Sequence, residues 1–290
     1  MIKKIQEYQI QEIYGIEKSK GKYIYFMDAD DYIEPNMFED LMKIMKKYEP
    51  DLVTMGFFSE VEVQDKKEDM DKIFIDEKMY TNRQEIKKDF IHMWDKHILY
   101  NIWNKLYVKD IILKYNIKFP IYNWAEDVKF NEDYLMHVER LYNTSKCYYH
   151  YVRERKGSVT KKFNEDLFKI RVNENEEYIK FFKEYGLNED EYIEFISRRY
   201  IERTLGCIEN IFNFSCNWGI KKKYNEIKNI ITHEETKKYL YIAKPNSLKV
   251  KVMLIPYKIK LPILAMVMGK FLAITKEKFP KLFNKLKNSR

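Results

Sequence analysis

The stretch GKYIYFMDADDYIEP, residues 21–35, sets three acids, Asp28, Asp30 and Asp31, at the end of a run of aromatic and β-branched residues. Tyr23 to Met27 is almost continuously apolar, which predicts a strand buried on both faces, as in a parallel sheet, with Asp28 at its carboxyl end. Glu34-Pro35-Asn36 then opens a helix carrying Met37, Leu41, Ile44 and Met45 at helical spacing and fading near Tyr48-Glu49-Pro50. DLVTMGFF, residues 51–58, reads as the next strand. Strand, helix and strand in this order predict a right-handed parallel crossover. In open α/β sheets ligands collect outside the carboxyl ends of the strands, so the three acids stand where chemistry is usually found. Clustered carboxylates repel one another, and a hard divalent cation, Mg²⁺ or Mn²⁺, relieves that repulsion while holding a diphosphate. The local alternative is that Asp28 and Asp30 shape the turn and Asp31 supports the coming helix through its dipole.

Extended to KSKGKYIYFMDADDYIEPNMFEDLM, the segment resembles the surroundings of the Asp-x-Asp motif of family-2 glycosyltransferases of the GT-A fold. The resemblance implies a nucleotide-diphosphate sugar as donor and Mn²⁺ or Mg²⁺ as cofactor. It assigns Asp30 to the metal and Asp28 to the ribose or the metal, with Asp31 as a further donor contact.

Downstream, Ile102-Trp103-Asn104-Lys105-Leu106 precedes the amphipathic VKDIILKYNIKF. One reading puts Trp103 under an acceptor sugar and Lys105 near acidic substrate groups; the other makes Trp103 a core residue and Lys105 a surface one. Trp124-Ala125-Glu126-Asp127 introduces a helix, VKFNEDYLMHV, whose stripe is Phe130, Tyr134, Leu135 and Val138. Glu126 and Asp127 at its amino end are explained equally by helix capping or by catalysis. The arrangement resembles the family's Glu-Asp motif, which implies Asp127 as the base that deprotonates the acceptor in an inverting transfer, Glu126 as its positioning partner and Trp124 as an acceptor contact. CYYHYVRERKGSVTKKF, residues 147–163, reads as a last strand and a polar loop, where Arg153, Arg155 and Ser158 suit the donor diphosphate. His150 is either a metal or phosphate contact or a partly buried strand histidine.

A complete enzyme of that family resembles a nucleotide-binding half placed before the Asp-x-Asp strand. Here residues 1–22 read as a single helix, with Glu12 about where the family has a basic residue. The expectation is therefore a truncated or split chain whose donor site another polypeptide completes.

The 290 residues include 8 Gly and 7 Pro, too few for long disordered stretches. Three cysteines without framework spacing, and a start without an apolar signal core, point to the cytoplasm, at most the inner face of the cell membrane. From Lys244 to Arg290 there are eleven Lys, one Arg and one acid, so this tail carries +11 of a total of +8 and the rest −3. Pro256, Pro262 and internal lysines break up any run long enough to span a bilayer. The tail is then either an interfacial segment drawn to anionic lipid or a helical hairpin with solvated lysines. Nucleic-acid binding has no motif to support it.

The fold expected is an α/β, incomplete GT-A mixed sheet flanked by helices over residues 1–163, a helical region over 164–243 and the basic segment 244–290. The expected function is metal-dependent, inverting sugar transfer to a cell-envelope or capsular glycan, or to a lipid-linked acceptor. The alternative is an inactive glycan- or membrane-binding module.

Overall fold

The computed structural model describes residues 14–63, 66–120, 126–153 and 162–278. The chain divides into two compact units, Met1–Ser158 and Val159–Arg290. The first holds the strands β1 (Tyr23–Ile24), β2 (Tyr32–Ile33), β3 (Leu52–Val63), β4 (Lys66–Ile73), β5 (Lys78–Tyr80), β6 (Lys105–Val108) and β7 (Leu141–Arg153). They form one mixed sheet of order β1-β6-β3-β7-β2, with β4 added to β3 and β5 to β7. β3 and β7 are parallel, and the other pairings are antiparallel.

Helix α1 (Met37–Tyr48) forms where the sequence predicts it. Glu39 and Asp40 stand in its first turn and Lys46 and Lys47 in its last, each favourable to the helix dipole. Glu49 caps it in the left-handed region (φ 47°) before Pro50 leads the chain away. Its buried stripe, Met37, Leu41 and Met45, lies on Val53, Met55, Leu106, Tyr142 and Tyr148 across one face of the sheet. Each such side chain contributes about 1.5–3 kcal/mol by leaving water. The opposite face carries α2 (Arg83–Asp95), α3 (Lys109–Lys114) and α4 (Glu126–Leu135) among its flanking helices, and there Phe130 and Tyr134 of α4 meet Tyr107 edge-on.

The opening strand is shorter than expected and differently paired. Only Tyr23 and Ile24 join the ladder, antiparallel to Val108 and Tyr107 of β6. β6 in turn pairs antiparallel with β3, so β1 and β3 run the same way but with β6 between them rather than side by side. The cause is the short connection from β1 to β2. These two strands close opposite ends of the main strand path, four strand spacings or roughly 19 Å apart. Residues 25–31 have a reach of only about 23–25 Å. They must leave the ladder and cross the sheet nearly extended, which carries the three acids over the sheet instead of leaving them at a strand tip.

β3 and β7 stay in register except around Gly56, where the pairing shifts on both sides. A Cβ there would lie 2.8 Å from Cys147 Sγ, the Ile73 carbonyl oxygen and Phe74 Cβ. The glycine lets three segments close on the bulge. Gly56→Ala is expected to destabilise the protein by about 1–3 kcal/mol through overpacking, read as a lower midpoint in urea unfolding. An unchanged midpoint would mean that the bulge relaxes freely.

The second unit is helical: α5 (Leu167–Tyr185), α6 (Glu189–Ile211), α7 (Ile220–Thr232), α8 (Glu234–Ile242), α9 (Leu248–Met253), α10 (Ile255–Lys258) and α11 (Pro262–Lys278). Gly186 ends α5 in the left-handed region (φ 85°), and α6 begins three residues later behind Asn188, whose N–H donates to Glu191 Oε2 at 2.6 Å. The basic carboxyl-terminal stretch belongs to the same unit, since α11 lies on α6 and α7. Among the described residues no helix is long and apolar enough to cross a membrane.

Candidate active site

The crossing segment is fixed by aromatic and polar contacts at both ends. Phe26 meets the rings of Tyr107, Phe119 and Phe130 edge-on, at 5.5, 5.5 and 5.4 Å between centroids. Two residues on, the Asp28 N–H donates to the Tyr149 hydroxyl at 3.2 Å, and the Asp31 N–H turns back to the Asp28 carbonyl. Asp31 is buried with both carboxylate oxygens engaged: Oδ2 accepts from the Tyr149 hydroxyl at 2.6 Å and Oδ1 from the Val152 N–H at 2.9 Å. Asp31 thus ties the crossing segment to β7, and Asp28 and Asp30 are the exposed acids.

Tyr149 is the part of this arrangement that sequence reading misses. Its hydroxyl serves Asp28 and Asp31 at once, so Tyr149→Phe takes a partner from a buried carboxylate. Bonds to charged groups contribute about 1.5–3 kcal/mol, and a destabilisation of that size is expected in chemical unfolding. A loss below about 0.5 kcal/mol would show that Asp31 does not depend on the bond.

The Phe26–Phe130 contact also brings α4 to the acids, because Glu126 and Asp127 form the first turn of the helix that carries Phe130. Asp28 is open to solvent by area, yet protein atoms crowd its carboxyl. That desolvation, followed by the charges of Asp31, Asp30 and Glu126, pushes its pKa up to about 6. Residues nearly a hundred positions apart in sequence therefore share one electrostatic neighbourhood. The charge of Asp127 bears on Lys105 and Tyr107, both fully buried. Asn131 braces this turn, its Nδ2 donating to the Asp127 and Tyr100 carbonyls, both at 2.9 Å, and its Oδ1 accepting from the Tyr107 hydroxyl at 2.8 Å.

Lys105 is neither a surface residue nor an open acceptor contact. It is 0% exposed, and its Nζ donates to Asn104 Oδ1 at 2.9 Å and to the Asn101 carbonyl. Burial holds its ammonium well below the usual lysine range, and the Asp127 charge offsets this in part. Trp103 is likewise no open sugar platform: it is 5% exposed, stacks on Tyr149 and Tyr151 at 4.4 and 5.4 Å, and meets Phe57 edge-on. The core reading of Trp103 is the one the structure holds. His150 alternates to the other face of β7. It stacks between Tyr32 and Phe58, with Nδ1 2.6 Å from Glu60 Oε1 and Nε2 2.9 Å from Glu34 Oε1, so its ring nitrogens are spent within the protein. Arg153 closes β7, where it pairs with Val61. Trp124, Arg155 and Ser158 lie outside the described residues.

Among the described residues no group of three or more His, Cys, Asp or Glu side chains is arranged to hold a metal ion. Mg²⁺ and Mn²⁺ do not need one when a substrate diphosphate supplies further oxygens, because one or two carboxylates then suffice. Asp28 and Asp30 offer that donor set, hard oxygens in a local excess of negative charge.

A cavity of about 440 Å³ opens on the other face of the sheet, beside Glu34, Phe58, Lys72 and Lys146. It is distinct from the acidic cluster, since Phe58 and Tyr148 alternate away from Phe57 and Tyr149.

Residues 11–105 match the family model described as glycosyl transferase family 2. The chain is 26% identical over 183 residues to the uncharacterized glycosyltransferase EpsJ of Bacillus subtilis (strain 168), a match covering 60% of this chain and 50% of EpsJ. It is 26% identical over 183 residues to the glycosyltransferase GlyA of Streptococcus pneumoniae serotype 4, covering 59% of this chain and 25% of GlyA. The chain thus spans half the length of EpsJ and a quarter of GlyA. Among solved structures, S. aureus TarS 1-349 superimposes with a TM-score of 0.49 at 14% identity, over 91% of this chain and 69% of that one. Residues 11–105, about a third of the chain, are thus similar to glycosyl transferase family 2.

Proposed function

We propose that this chain acts as a metal-dependent, inverting glycosyltransferase, which moves a sugar from a nucleotide-diphosphate donor to a glycan or lipid-linked acceptor of the cell envelope or a capsule. The observation that carries this reading is the Phe26–Phe130 contact, which brings α4 to the segment holding the exposed Asp28 and Asp30, so that the charge of Glu126 reaches Asp28. Asp28 and Asp30 would hold Mg²⁺ or Mn²⁺, which stabilises negative charge on the departing diphosphate. Asp127 accepts the proton of the acceptor hydroxyl as that oxygen attacks the anomeric carbon from the side opposite the nucleotide. Glu126 orients the acceptor. Lys105 is a positioning residue: buried and hydrogen-bonded to Asn104, it couples electrostatically to Asp127 and does not contact substrate.

The direct test is turnover by the full chain with a panel of nucleoside-diphosphate sugars and Mn²⁺, with release of nucleoside diphosphate in the presence of envelope glycans as the readout. Transfer that inverts the anomeric configuration and stops on chelation is expected. Retention of configuration, or turnover indifferent to chelation, would overturn the mechanism.

A further inference from the structure

The helical unit ends in a surface of unusual chemistry. Over residues 248–275 every exposed side chain is either apolar or a lysine, and no acid and no neutral polar group stands among them. On α11 the inward side is set by Ala265 and Gly269; a Cβ on Gly269 would lie 2.5 Å from Ile208 Cγ2 of α6. The outward side therefore carries Ile263, Val267, Phe271 and Ile274, a stripe at helical spacing whose first three members are 60%, 61% and 67% exposed. α9 and α10 repeat the pattern with Leu248, Val252, Ile255 and Ile259. A helix apolar on all sides belongs in a core or against another apolar phase, and the outer side of α11 has no protein over it among the described residues. Lys251, Lys258, Lys260 and Lys270 are exposed beside these stripes.

We propose that α9–α11 form a docking face for an anionic lipid surface, with the aliphatic stripe immersed at the headgroup level and the lysines on lipid phosphates. Charge decides between the possible covers. A second copy of the chain would set lysine against lysine, and a neutral apolar partner would leave four ammonium groups at its rim uncompensated. Anionic headgroups meet the lysines while the adjoining acyl region takes the stripe. No described helix is long and apolar enough to span the bilayer, so the contact is interfacial.

The test is flotation of the full chain with vesicles of phosphatidylcholine alone and of phosphatidylcholine with phosphatidylglycerol. Binding to the anionic vesicles only, weakening as salt is raised, is expected. Val267→Asp and Phe271→Asp should each reduce that binding at least tenfold. Each lysine changed to Gln should cost about fivefold. These positions are exposed, so circular dichroism of the variants should match the parent. Equal binding to both vesicle types, or no binding to either, would overturn the proposal. So would dimerisation in light scattering that Phe271→Asp abolishes while the parent ignores lipid.

Discussion

Asp127→Asn is expected to lower sugar transfer by about 10²–10⁴-fold, the usual contribution of a positioned general base, while leaving Mn²⁺ and nucleotide binding unchanged. Amide and carboxylate are nearly isosteric, and Asp127 meets Asn131 through its backbone carbonyl, so α4 keeps its first turn in the variant. What disappears is the proposed proton acceptor, together with the negative charge that bears on Lys105. Losing that charge leaves the buried ammonium with less to offset its desolvation, so the Lys105 pKa should fall further in the variant. Transfer by product analysis and binding by calorimetry separate the two effects. If transfer and nucleotide binding fell together, Asp127 would be a binding or folding residue instead.

The second large effect is expected at the exposed acids. Asp30→Asn and Asp28→Asn should each weaken Mn²⁺ binding at least tenfold, and the double variant should abolish it. The pH dependence comes from the raised Asp28 pKa. Protonation competes with the cation, so Mn²⁺ affinity should rise with pH up to and through about 6 and then level off. Stability without metal should move the other way. A carboxyl whose folded pKa lies above its unfolded value contributes stability in full below about 3.9 and loses it as pH rises through about 6. The parent protein should therefore become less stable across that interval, and Asp28→Asn should remove this part of the profile. Urea midpoints taken across the interval measure it. A Mn²⁺ affinity that is flat with pH would separate Asp28 from the cation.

Much of this arrangement is legible in the chain itself because it is local. The limits of α1 come from Pro35, its apolar spacing and Pro50, and the position of Glu126 and Asp127 in a helical first turn comes from the stripe behind them. The parts that are not legible depend on distant pairing. The apolar run at Tyr23 to Met27 reads as a five-residue strand, yet reach across the sheet releases all but two residues from the ladder, and β6 enters between β1 and β3. The burial of Lys105 and Trp103 results from β6 lying inside the sheet with α4 over it, a consequence of the same insertion. Asp31 illustrates the point most sharply. It is one of three similar acids in sequence, but two hydrogen bonds from β7, 118 and 121 residues away, give it a different role. Strand alternation in Tyr148-Tyr149-His150-Tyr151 is the available signal that His150 faces away from Tyr149.

On the proposed function, the exposed Asp28 and Asp30 are tolerated together because a divalent cation joins them. Titration of the full chain with Mn²⁺, monitoring the free-ion signal by electron paramagnetic resonance with and without a nucleoside diphosphate, decides whether it does. One Mn²⁺ site is expected, tightened by the nucleoside diphosphate and lost in the Asp28→Asn, Asp30→Asn double variant. Equal Mn²⁺ binding by the parent and the double variant would contradict it.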